Sequence, residues 1–249
     1  HYLQAAHQAV AAVMVPYSKS AYNAAADALD NAEKEDKGEM QVTQRAHDIS
    51  QALRNATSDA QTGEMLMLLT SFTTSISDNS NITLDPDTDT YFVGDVIINQ
   101  TTGLLNALHT LPETAKQADA DHSDDHKIAF AEARDAVASN LGNVDTEIQK
   151  AIKGNNNGTV QPALREGLTA LDGLASKVAA SSKGNDRAVL QADVGQAIQK
   201  TLAFREKCLE LMGSLLETRN TGFYELLWAR LLVVPGAIIL GGILFWLIV

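Results

Sequence analysis

From Leu231 to Val249 the chain runs nineteen residues without one charged or polar side chain. At ~1.5 Å of rise per residue, a helix of that length covers ~28 Å, close to the hydrocarbon thickness of a bilayer. A core helix of a globular protein seldom stays apolar on every face for so long. Trp228, Arg230 and Trp246 stand where the two interfaces of a membrane would fall. Pro235-Gly236 would loosen the first turns, and Gly241-Gly242 offers a close-packing patch for a second helix. The expectation is therefore a transmembrane helix over 229–249 and one domain over 1–228. The run lies at the carboxyl end, so it does not read as a secretory signal. Because the sequence opens at His1 and not at methionine, it reads as a fragment, with an earlier span ahead of His1 that would place the large acidic segment outside the membrane.

The remaining residues favour helices. Aromatics make up 5% of the chain and prolines number only 5, whereas strands draw on aromatic and β-branched residues. A formal charge of -12 argues against a nucleic-acid partner, which needs clustered Lys and Arg. With 45% hydrophobic residues the chain can bury a core. Its one cysteine, Cys208, excludes an internal disulfide, and reads as a small buried hydrophobe or as a cross-link at a dimer interface.

Six helical stretches follow from the apolar spacing and the breakers. They cover about 2–37 with a bend at Pro16, 39–77, 87 to just before Pro112, 124–153, 160–181, and 186 onward with no breaker until Pro235. Gly154-Asn155-Asn156-Asn157-Gly158 is the clearest turn, and Ser123 is placed as a helix cap. In the last stretch Leu190, Val194, Ile198, Leu202, Cys208/Leu209, Met212 and Leu215/Leu216 form an apolar stripe for bundle packing. Asp186 to Trp228 would stand ~65 Å long as a helix. The expected fold is all-α: an elongated up-and-down bundle of about six helices, or two stacked four-helix modules, running into the transmembrane helix.

Ser80-Asn81-Ile82-Thr83-Leu84-Asp85-Pro86-Asp87-Thr88-Asp89-Thr90-Tyr91-Phe92-Val93-Gly94-Asp95 links the second and third stretches. In physical terms it is a connector. Asp85 precedes a proline and should be extended, Asp87 is placed to cap the next helix, and Asp89 in its first turn suits the helix dipole. Asp87, Tyr91 and Asp95 fall on one face. Three readings stand: a capped turn that fixes the bundle, a small-molecule pocket lined by Asn81, Asp85, Tyr91 and Asp95, or a calcium-type site.

The same run resembles the Ser-Asn-Leu-Thr-Leu-Asp-Pro-Asp-Leu-Asp-Ser-Tyr-Tyr-Leu-Met-Asp motif of periplasmic sensor regions in bacterial transmembrane receptors: methyl-accepting chemotaxis proteins, sensor histidine kinases and diguanylate cyclases. Thr88 replaces an apolar residue, Phe92 the second tyrosine, and Val93-Gly94 the Leu-Met pair. The resemblance implies a periplasmic domain of an inner-membrane receptor, working as a homodimer. Its partner would be a small ligand such as an organic acid, or a ligand-loaded periplasmic binding protein. A kinase, chemoreceptor or cyclase output would follow the final span.

Arg45 and Arg54 in the second stretch and Arg205 in the last are the best cations for holding a carboxylate, the competing reading for each being a surface arginine in a salt bridge. His122 and His126 could share a metal, although a helix capped by Ser123 would leave His122 outside it. No phosphate loop, nucleophile elbow or CxxC is present, so neither catalysis nor a cofactor is expected of this segment. The rival to a sensor is a membrane-tethered helical stalk or protein-interaction module with no small-molecule ligand.

Overall fold

The computed structural model describes residues 1–80, 87–121, 123–184 and 186–248; the side chains of 121, 229, 232, 234, 237–245, 247 and 248 lie outside the description. Among the described residues the chain is all helical, without a strand. In order the elements are α1 (Tyr2–Val13), α2 (Lys19–Asp36), α3 (Thr43–Asn55), a 3-10 turn (Asp59–Gln61), α4 (Thr62–Asn79), α5 (Thr88–Asp95), a π segment (Val96–Gln100), α6 (Thr101–Asp121), α7 (Asp124–Gly154), α8 (Val160–Lys183) and α9 (Arg187–Ile248).

The breaks are more numerous than the six expected stretches allow, and each has a local cause. Pro16 ends a helix instead of bending one, and Ser18 then caps α2 by accepting from the Ala21 amide at 3.4 Å. Lys37 and Gly38 close α2 in the left-handed region, at φ 54° and 81°. The stretch expected over 39–77 is cut after Asn55: Ala56 is extended and Ser58 accepts from the Ala60 amide, starting the 3-10 turn. In the opposite sense, α6 runs through Pro112. The neighbours Leu111 and Ala115 are fully buried, and this packing outweighs the missing backbone bond. Ser123 caps α7 as its position predicts, accepting from the His126 amide at 3.3 Å.

Two compact units divide the chain, His1–Glu210 and Leu211–Val249. Within the first, helices that follow one another pack together, as in an up-and-down bundle: α1 with α2, α2 with α3, α3 with α4, α6 with α7, and α7 with α8. The α1–α4 group is centred on Tyr22, Leu29, Leu53, Leu69 and Phe72, with Tyr2 edge-on to Phe72 at 5.8 Å. A second core joins Leu104, Leu108 and Leu111 of α6, Val137 of α7, Leu174 and Val178 of α8, and Leu190 and Val194 of α9. Each such side chain contributes ~1.5–3 kcal/mol when fully buried. The expected stripe on α9 is buried as far as Met212, apart from the half-buried Ile198.

In the second unit the backbone stays helical to Ile248, through Pro235, and Phe223, Trp228, Leu231, Val233 and Trp246 are exposed. Among the described residues no helix is long and apolar enough to cross a membrane. Most side chains of the apolar run 231–249 lie outside the description, as does Val249 altogether.

Candidate functional site

The residues singled out from the sequence go to separate places. Asn81 and Asp85 lie outside the described residues, so a pocket built on them is untouched by the structure. Tyr91 and Asp95 are half-buried on α5. Tyr91 stacks edge-on with Phe92 at 5.0 Å, and Asp95 accepts from Asn99 Nδ2 at 2.7 Å and Gln100 Nε2 at 2.8 Å. The described end of the connector is built into the fold. Asp87 holds the capping position of α5, though its carboxylate accepts no capping bond. Asp89 accepts from the Thr90 amide and, through its other oxygen, from Asn155 Nδ2 at 2.8 Å. Asn155 Oδ1 in turn accepts from the amides of Thr159 and Val160, which opens α8. At Gly154 a Cβ would stand 2.7 Å from Thr88 Cβ, so only glycine allows this approach. Thr88 and Asp89 thus latch the α7–α8 turn.

The three arginines differ sharply. Arg45 reaches across to α4, where Ser71 and Ser75 accept from it. Arg54 pairs with Asp27 at 2.6 Å and Asp30 at 2.8 Å on α2. Burial alone would raise the Asp30 carboxyl, but hydrogen bonds from Ser50 and Arg54 and the arginine charge hold it below its ordinary value. Arg54 is a half-exposed ion pair of a helical hairpin.

Arg205 is fully buried. Its Nε donates to the Ile97 carbonyl at 3.0 Å, and Nη1 makes a long 3.5 Å contact with His7 Nδ1. Since arginine can only donate, the imidazole must present Nδ1 as an acceptor. Nη2 is buried and has no hydrogen-bond partner among the described residues. Among the described residues no carboxylate pairs with it, and burial lowers the guanidinium to a pKa of about 10, so it remains a cation at neutral pH. Burial and the Arg205 charge together lower His7 to about 4, leaving it neutral. One turn along, Cys208 is a buried free thiol whose pKa burial pushes up.

The acceptor for Arg205 arises from the π segment. There the Thr101 amide bonds back to Val96 over five residues, and the widened turn leaves the Ile97 carbonyl free to accept from the Thr101 hydroxyl at 3.2 Å and from Arg205. Such one-turn insertions concentrate at functional positions in helices. Nothing in the residues 96–100 announces the insertion. Burial of Arg205, by contrast, had a signal: Ile198, Leu202, Arg205, Leu209 and Met212 follow the four-three-four-three spacing of the α9 stripe. The expectation of a surface arginine is corrected on that ground.

Openings among the described residues of the first unit lie at other places. A cleft of 460 Å³ between α6 and α9 is lined by Lys116, Asp119 and Arg187, but Arg187 already grips Asp119 through two bonds of 2.7 and 2.8 Å and lies over Phe130. A groove of 300 Å³ between α8 and α9 is floored by Gly167 and Phe204. His122 lies outside the description and His126 sits in the first turn of α7; among the described residues no three side chains gather to hold a metal. No hydrogen bond or ion pair joins Tyr91, Asp95, Arg54 and Arg205 to one another. Comparison with protein-family models, with curated proteins and with solved structures finds no match for the chain.

Proposed function

We propose that this chain is the ligand-sensing extracytoplasmic part of a bacterial transmembrane signalling receptor. The observation that carries the proposal is Arg205, a buried cation without an anionic partner among the described residues, seated on the helix whose sequence continues into the apolar run 231–249. A bare charge in a core is costly unless something arrives to neutralise it. A ligand that does so binds one arrangement of α9 better than another, and that difference in affinity is what shifts a two-state receptor. The resemblance at 80–95 and the all-helical bundle support the same reading. In it the run 229–249 crosses the inner membrane, residues 1–228 face the periplasm, the receptor works as a homodimer, and a kinase, chemoreceptor or cyclase output lies beyond the span.

A receptor chimera tests the proposal. With residues 1–249 joined to the output half of a chemoreceptor or sensor kinase, the output should change when a panel of organic acids and amino acids is supplied outside the cell. An Arg205→Met chimera should be locked in one state. An output indifferent to every compound and to the substitution would favour the passive stalk.

A further inference from the structure

We infer that the groove between α8 and α9 is a binding site for a small monocarboxylate whose body is an unsubstituted ring or short alkyl chain. Its signalling role rests on the sensor reading. The site itself lies in an open space and stands apart from Arg205, which has no accessible surface.

The groove holds 300 Å³, at the small end of ligand pockets, which run from ~300 to ~1,000 Å³. Along α8 it reaches from Pro162 to Ala170, ~12 Å of helix, a length that suits a small molecule and is short for a partner helix. Small side chains make the space. Ala163, Gly167 and Ala170 follow one another on the α8 wall, and Ala203 stands on the α9 wall. At Gly167 a Cβ would fall 2.6 Å from Phe204 Cδ2, so glycine lets the buried ring lie low against the α8 backbone and floor the groove.

The charges of the lining set the ligand's charge. Lys200 and Lys207 lie two turns apart on α9 and flank Ala203 and Phe204. Among the described residues Lys200 makes no hydrogen bond or ion pair, and Lys207 meets only Glu210, at 3.8 Å and with both side chains exposed. Glu166 on the α8 wall is the acidic residue of the lining, so the groove is cationic in a chain of net charge -12. A carboxylate at the α9 edge is attracted by both ammonium groups and displaces no buried pair, whereas a second carboxylate would be driven toward Glu166. No hydroxyl, amide or imidazole side chain lines the groove, so the hydroxyls of a hydroxy acid or sugar acid find no side-chain partner there. The larger cleft between α6 and α9 is the weaker candidate, because an anion entering it would have to part Arg187 from Asp119.

The test uses the full 249-residue chain in detergent micelles. Its thermal unfolding is followed at constant ionic strength while benzoate or hexanoate is titrated in, with benzamide and hexanamide as their uncharged counterparts and phthalate as a dianion. Expected with one or both acids is a saturable rise in Tm of about 5–10 °C at a hundredfold excess over Kd. The amides and phthalate should give several-fold less. The rise should vanish in the double variant Lys200→Gln/Lys207→Gln, which removes the charge, and in Ala203→Leu, which fills the groove; all three positions are exposed, so folding is retained. No rise with either acid, an equal rise with the amides, or a rise undiminished in both variants overturns the inference; should one variant fail to fold, the other decides. A dimer seen by light scattering that Ala203→Leu dissociates, with no response to either acid, would give the groove to a second copy and overturn it as well. A Tm response with a mute chimera supports the site and removes the sensor; a responsive chimera with no Tm response overturns the site and leaves the sensor.

Discussion

The α2–α3 hairpin and the π segment facing α9 solve the problem of an arginine in opposite ways. In the hairpin Arg54 meets two carboxylates at 2.6 and 2.8 Å and stays half-exposed. At the π segment Arg205 meets a carbonyl and a neutral histidine and is fully buried. The first arrangement is complete within the chain. Water already shields it, so it adds little stability and can respond to little. In the second, no described residue supplies a counter-charge to a cation in low dielectric. What separates these two arginines is the presence or absence of a counter-charge among the described residues, not the residue type.

Substitution should widen this contrast. Arg205→Met fills a similar volume without the charge, and it should be neutral or stabilise the protein by up to about 4 kcal/mol, read from chemical unfolding. A loss of stability would show that the Ile97 bond outweighs the bare charge.

Acid should then expose the two regions in different windows. His7 has a folded pKa of about 4 against 6.5 when unfolded, so the unfolded chain binds the extra proton. Stability present above pH 6.5 should fall as pH drops toward 4, by up to about 3 kcal/mol, and then level off. His7→Gln should flatten that slope. The hairpin should respond only at lower pH, because the depressed Asp30 carboxyl loses its contribution as pH falls through its folded pKa, below the ordinary 3.8. A slope between pH 6.5 and 4 that survives in His7→Gln would place the titrating group elsewhere.

Smaller effects should follow at the latch and the hairpin. Gly154→Ala drives a methyl to within 2.7 Å of Thr88 and should cost about 1–3 kcal/mol of unfolding free energy. Arg54→Ala should cost under about 1 kcal/mol, an effect that salt diminishes further. A cost for Arg54→Ala above that for Gly154→Ala would mean that the hairpin pair is far better shielded from water than its exposure indicates.

These differences bear on what a sequence discloses. The bounds of α7, α8 and the start of α9 follow from Ser123, the Gly154–Gly158 turn and the apolar stripe, all of them local signals. The break after Asn55 was less plain, since Ser58 acts as a cap only once Ala56 is extended. Pro112 misleads in the other direction, because the burial that keeps α6 intact is supplied by other helices. For the site, Arg205 was among the candidate cations, and its place on the stripe could have foretold its burial. The Ile97 carbonyl and His7 could not have been named. They lie 108 and 198 residues away along the chain and meet Arg205 only after the helices assemble.

The latch between Asp89 and Asn155 also has a bearing on how the protein folds. The two residues are 66 apart in sequence, so their hydrogen bond closes a long loop. Its entropic cost has to be met before the contact gives any return. Local hairpins such as α2–α3 can form earlier, and the latch is expected to follow them. Gly154→Ala should accordingly leave the refolding rate nearly unchanged and speed unfolding, the kinetic signature of an interaction absent from the folding transition state.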